Sequence, residues 1–294
     1  MTLRNIISLL RIEQWVKNLF IFLPLFFDAK LFDITCLKNS SIAFVAMCFA
    51  ASAVYCFNDI MDIDQDKLHP QKCKRPIASG EISIKQAYII MTICIWAALG
   101  TSLLVSSSYF LYLIGILCVY WVINLLYCVW LKHIAIVDVM IVSMCYVLRV
   151  VTGGLVCGIY ISHWIILMTF LLALFLAFAK RRDDIIIKEN EVSKIRKASN
   201  GYNLAFLNQT LGIIASVTMV CYIMYAVSDE VCSRFNTQYL YITCLWVLAG
   251  IIRYLKLTMV DNRSGSPTKI LLKDKFIQAC IIFWIINFSI IIYL

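Results

Sequence analysis

A chain of 294 residues that is 62% hydrophobic and only 15% charged has too little polar surface to enclose its apolar side chains in water, which excludes an ordinary soluble domain. Apolar runs of about 20 residues recur along it, the length a helix needs to cross a roughly 30 Å hydrocarbon core. The formal net charge of +9 does not point to nucleic acid, because the cations sit in short stretches between apolar runs, and no nucleic-acid partner is expected.

The N-terminal stretch 1–17 scatters its charges and lacks the basic end followed by an apolar run that marks a cleavable signal peptide. With Ile6, Ile7, Leu9 and Leu10 grouped, it reads as an amphipathic interfacial segment. Nine spans follow, roughly 18–35, 41–61, 84–106, 109–130, 134–157, 162–180, 205–227, 238–259 and 275–294. The expected fold is therefore all-α, a polytopic bundle forming one membrane-embedded domain over 1–294. Three longer loops, 62–83, 181–204 and 260–274, fall on one side. Most of the 13 cysteines lie inside apolar runs with no C-x-x-C pair, as small buried hydrophobes do.

Lys and Arg crowd onto the side of those loops. The N-terminal segment (Arg4, Arg11, Lys17), the first loop (Lys67, Lys72, Lys74, Arg75, Lys85), Lys132, and the basic second and third loops share it. The opposite side holds only Lys30, Lys38 and Arg234. The positive-inside rule then puts the N-terminus and all three loops in the cytoplasm and the C-terminus outside.

The stretch Tyr55–Gly80 carries the chemistry. Asp59, Asp62, Asp64 and Asp66 are followed at once by Lys67, His69, Lys72, Lys74 and Arg75. Asn58, Asp62 and Asp66 are four apart and share a helix face, with Asp59 within a turn of Asp62. One aspartate at mid-bilayer costs about 2.5–3.5 kcal/mol, so the cluster belongs at the end of the second span with cations on it. Hard oxygen donors suit Mg²⁺, which carboxylates commonly share with substrate phosphates. Asn58, Asp59, Asp62 and Asp66 are thus candidate metal ligands, and Lys72, Lys74 and Arg75 candidate grips on phosphate oxygens. A calcium loop fails, because Lys67 stands where it needs Gly and Cys73 where it needs Glu. A solvated acidic loop remains the plain alternative.

N-D-x-x-D-x-x-x-D at Asn58–Asp66 resembles the first signature of the UbiA superfamily of membrane prenyltransferases. More specifically, the chain resembles the decaprenyl-phosphate phosphoribosyltransferase branch through five further motifs. These are R-x-x-Q-W-x-K-N at Arg11–Asn18, H-P-x-K-x-x-R-P-I-A-S-G at His69–Gly80, N-x-x-Y at Asn124–Tyr127 with Lys132, L-R-x-x-x-G-G at Leu148–Gly154, and A-K-R at Ala179–Arg181. Ile12 stands where that branch has Pro, and the sixth loop reads KRRDDIIIKENE, without the second D-x-x-x-D of aromatic prenyltransferases.

The resemblance implies a nine-helix bundle with a cytoplasm-facing site and Mg²⁺ as cofactor. It implies transfer of a 5-phosphoribosyl group from phosphoribosyl pyrophosphate to a polyprenyl phosphate in the bilayer, in the service of cell-envelope synthesis. The expected catalytic set is Asn58, Asp62, Asp66, Lys72 and Arg75. Substrate contacts are expected from Lys17, Asn18, Lys74, Asn124, Tyr127, Lys132, Tyr146, Arg149, Lys180, Arg181 and Arg182. Arg149, placed mid-span, needs a substrate phosphate or a carboxylate such as Asp138 as partner. The alternatives are an aromatic prenyltransferase with a polyprenyl diphosphate donor and a non-enzymatic lipid carrier. Oligomeric state is left open.

Overall fold

In the computed structural model the described residues are 2–68, 72–190, 201–261, 270 and 273–293. His69, 191–200 and most of 260–274 lie outside them. Among the described residues every regular element is helical, and eight helices are long and apolar enough to cross a membrane. The protein is an integral membrane protein. Its chain divides into two compact units, Met1–Ile161 and Ser162–Leu294.

The first unit opens with α1 (Leu3–Leu10), N-capped by Thr2 and ended by Arg11 in the left-handed region at φ 50°. The span expected over 18–35 is not one α-helix. It is a 3-10 helix over Ile12–Phe22 followed by the short α2 (Leu23–Phe27), which stops before Asp28. With three residues per turn, Trp15, Asn18 and Ile21 fall on one edge. Trp15 Nε1 donates to Ser52 Oγ, Asn18 is buried, and Ile21 is fully buried. Hydropathy counts apolar residues and is blind to this choice between helix types.

α3 (Ile34–Met61) is the centre of the unit. Asp33 caps it, accepting from the N–H groups of Thr35 and Cys36 at 2.9 and 3.0 Å. Ala43, Ala46, Ala50, Ala51 and Ala53 are all buried, and such small side chains let neighbouring helices approach closely within a membrane. α4 (Ile63–Lys67), α5 (Ile84–Ser102, opened by a Ser83–Gln86 capping box), α6 (Ser107–Val129) and α7 (Val137–Leu155) complete the unit. At Gly153 a Cβ would lie 1.8 Å from the Ile21 carbonyl oxygen. The 3-10 segment therefore lies directly on α7, which accounts for a glycine in the Leu148–Gly154 motif.

The second unit contains α8 (His163–Asn190), α9 (Leu204–Val227), α10 (Asp229–Phe235), α11 (Cys244–Met259) and α12 (Lys275–Tyr293). The loop expected from 181 starts instead as helix, because α8 runs ten residues beyond the end of the apolar stretch. Charge ends a hydrophobic run without ending a helix, and Arg181 pairs with Asp184 one turn on at 3.2 Å. A polar chain crosses the interior of this unit: Trp284 Nε1 donates to Tyr222 OH (2.6 Å), which bonds Thr243 Oγ1 (2.7 Å).

Candidate active site

The acidic motif lies where α3 passes into α4. Asp62 ends α3, yet its N–H donates to the Asn58 carbonyl (3.0 Å) and the Asp66 N–H donates to that of Asp62 (2.8 Å). The four-residue ladder thus runs through the junction and keeps Asn58, Asp62 and Asp66 in register. Asn58 Oδ1 accepts from Cys128 Sγ of α6 at 3.4 Å, and Asp62 pairs with Lys132 just beyond α6.

Asp59 and Asp66 are bridged by one nitrogen of Arg75, at 3.1 and 2.6 Å. Arg75 is held there by its own loop. Its N–H donates to the Lys72 carbonyl (2.9 Å), Ile82 N–H closes onto Pro76 O (2.9 Å), and Ile77 and Ile82 bury themselves beside Leu9, Ala53 and Ile60. Lys72 and Lys74 lie on the 3-10 turn immediately before it. Arg11 reaches Asp59 Oδ1 as well, at 2.5 Å. The sequence singled out Arg11 as a loop-side cation and the first letter of a motif, and gave no sign of its partner, which lies 48 residues away.

A second basic node lies within the same unit. The Arg149 guanidinium is buried, donating from Nε to Asn18 Oδ1 (2.7 Å), from one terminal nitrogen to the Cys145 carbonyl (2.6 Å) and from the other to Tyr120 OH (3.4 Å). It lies over the rings of Tyr120 and Tyr146 at 5.4 and 5.3 Å. The carboxylate partner suggested for it, Asp138, is not used: Arg149 forms no ion pair among the described residues. Asn18, the Cys145 carbonyl and the rings of Tyr120 on α6 and Tyr146 one turn back on α7 take the place of an acid. Asn18 Nδ2 donates to Cys48 Sγ (3.1 Å), and half-buried Lys17 precedes it. Asn124 Nδ2 donates to Tyr120 O (2.7 Å), supporting the Tyr120 turn, and Tyr127 lies one turn on along α6. Tyr120 itself was missed, since an aromatic inside an apolar run carries no signal.

Lys180, Arg181 and Arg182 belong to the second unit. Arg182 is buried, giving Nε to Asn208 Oδ1 (2.7 Å) and a terminal nitrogen to the Thr258 carbonyl (2.6 Å). It ties α8 to α9 and α11.

For a divalent cation the donor set is chemically suitable: Asn58, Asp62 and Asp66 offer only hard oxygens in register. Among the described residues no three acidic, His or Cys side chains converge as a ready-made cage. Two carboxylates suffice where substrate phosphates complete the shell, the usual arrangement for Mg²⁺.

The model of the UbiA prenyltransferase family matches residues 29–277. A decaprenyl-phosphate phosphoribosyltransferase of Corynebacterium glutamicum is 31% identical over 99% of this chain and 87% of its own. One of Mycolicibacterium smegmatis is 30% identical over 96% and 90%. Among solved structures, a UbiA homolog from Archaeoglobus fulgidus bound to DMAPP and Mg²⁺ superposes with a TM-score of 0.69 at 18% identity, covering 99% of each chain. A family match over most of the length, near-full-length relatives and a shared helical fold have one meaning: the chain belongs to the UbiA prenyltransferase family.

Proposed function

We propose that the protein transfers a 5-phosphoribosyl group from phosphoribosyl pyrophosphate to a polyprenyl phosphate, releasing diphosphate. The observation that carries this reading is an acidic helix end met by cations from three separate segments: Arg11, Arg75 and Lys132. One acidic motif with many cations suits a highly phosphorylated donor, and the near-full-length relatives bear the name of that activity.

In the reaction the ribose C1–O bond to diphosphate breaks and an acceptor phosphate oxygen bonds to C1. Arg75, Lys132, Lys72 and Lys74 stabilise the charge that builds on the leaving diphosphate. Asp62 and Asp66, with Asn58, would hold Mg²⁺, which supplies further neutralisation of that charge when bound. The acceptor phosphate is already anionic, so no general base is required, and alignment does the work. Lys17 and Arg149 are the acceptor-side cations. The site faces the cytoplasm, the side to which the loop cations belong.

The test gives purified protein Mg²⁺, labelled phosphoribosyl pyrophosphate and polyprenyl phosphate; a labelled lipid is expected. Label passing from a prenyl diphosphate to an aromatic acid would replace this reading with prenyl transfer. Neither product, together with lipid movement between vesicle leaflets, would make the protein a carrier.

A further inference from the structure

We propose that Arg11 and Asp59 form a permanent internal ion pair that positions Arg75, and that Asp59 is therefore outside the ligand set of the divalent cation. The inference rests on the metal-diphosphate reading above and redraws its ligand set, because the motif alone counts Asp59 with the other acids.

Charge pairing is the first ground. At about 100° per residue Asp59 lies about 100° round the helix from Asn58, about 60° from Asp62 and about 20° from Asp66, so its partners and not its bearing set it apart. Its Oδ1 accepts from both Arg11 (2.5 Å) and Arg75 (3.1 Å), whereas Asp66 pairs with Arg75 at 2.6 Å and, among the described residues, not with Arg11.

Access is the second ground. The side chains of Asp59 and Asp66 are 2% and 4% exposed and that of Asp62 18%, so Asp62 is the open member and Asp66 opens only as Arg75 leaves it. A hydrated Mg²⁺ keeps several waters and needs an open oxygen. Asp62 is also met by a single ammonium on a flexible stem, a partner that readily exchanges.

Anchoring is the third. Arg11 is fixed at both ends. Its backbone takes the left-handed conformation and its N–H donates to Ser8 O (3.3 Å). The preceding carbonyl, Leu10 O, accepts from Ser52 Oγ (2.9 Å), and Leu9 is fully buried. The guanidinium lies 4.8 Å from the centre of the Tyr55 ring. Arg75, by contrast, rides on a loop and is shared with Asp66. When phosphate takes up Arg75, Asp66 is released toward a cation while Asp59 keeps Arg11. Asp59 thus acts as the counter-ion that holds a basic pair in place.

The experiment compares D59N, D62N, R11Q, R11K and the double variant R11Q/D59N, each screened by its melting curve in detergent. Mn²⁺ binding is read by electron paramagnetic resonance with inorganic pyrophosphate present. D59N should keep the wild-type Mn²⁺ affinity within about threefold, whereas D62N should lose about tenfold or more. In turnover, R11Q should raise the donor KM about tenfold with a smaller change in kcat. R11K should restore part of that loss, and so should the double variant, by removing the orphaned carboxylate. Loss of Mn²⁺ binding in D59N equal to that in D62N would overturn the proposal, as would a double variant no better than R11Q. Because Mn²⁺ and pyrophosphate involve no ribosyl donor, a wrong donor leaves this test intact. A wild-type protein that binds no Mn²⁺ would instead sink the parent reading.

Discussion

Arg149 shows what a single side chain can be required to do inside a bilayer. A buried cation is costly there, and this one is sustained by Asn18, a backbone carbonyl and two tyrosine faces instead of an acid. Only a planar fork can serve all four, so Arg149→Lys should reduce kcat/KM about 10–100-fold while the protein still purifies as a folded species. Steady-state kinetics beside a detergent melting curve decide it. For the motif acids, Asp62→Asn and Asp66→Asn should each lower turnover about 100-fold or more without loss of fold. Full activity in both would remove the metal site. The sequence made the acids legible through their spacing. It concealed Arg11–Asp59 and Arg149–Asn18, whose partners lie 48 and 131 residues apart.

Between elements, close approach is the governing constraint. A Cβ at Gly153 would collide with backbone, the Ile21 carbonyl, which has no rotamer to yield. Gly153→Ala should therefore part α7 from the 3-10 segment, at a cost of about 1–3 kcal/mol or more, and disable the Asn18–Arg149 bond. Gly115→Ala on α6, where a Cβ meets nothing within 4 Å, is the matched control and should melt like the wild type.

In the second unit Asp274 joins α12 to α11. It accepts from Arg253 at 2.8 Å and from the Ile277 N–H at 3.0 Å. Those bonds, the Arg253 hydrogen bond foremost, hold its carboxyl below the usual 3.8. Since the folded value is the lower, the stabilisation is present above the unfolded value and is lost as pH falls through the folded one. Thermal unfolding between pH 6 and 3 should show an acid-dependent loss in the wild type that is smaller in Asp274→Asn. A hydropathy reading located α9 and α12 almost to the residue, because their ends coincide with the ends of apolar runs. It stopped α8 too soon, where helix and apolar run part company.

For the whole molecule, composition alone made the membrane and the all-helical fold legible. In the proposed topology the loop cations face the cytoplasm. Inside-out membrane vesicles should therefore consume added phosphoribosyl pyrophosphate without detergent, and right-side-out vesicles only after permeabilisation. Equal latency in both would contradict the assigned topology.

The stretch ahead of α3 sets a limit on counting spans by composition. A 3-10 helix rises about 2.0 Å per residue against 1.5 Å for the α form, so residues 12–27 reach about 30 Å, the depth of the hydrocarbon layer. A tightly wound thread of sixteen residues thus attains the reach of a twenty-residue rod. Being thinner, it lets its carbonyls lie flush against a neighbouring glycine.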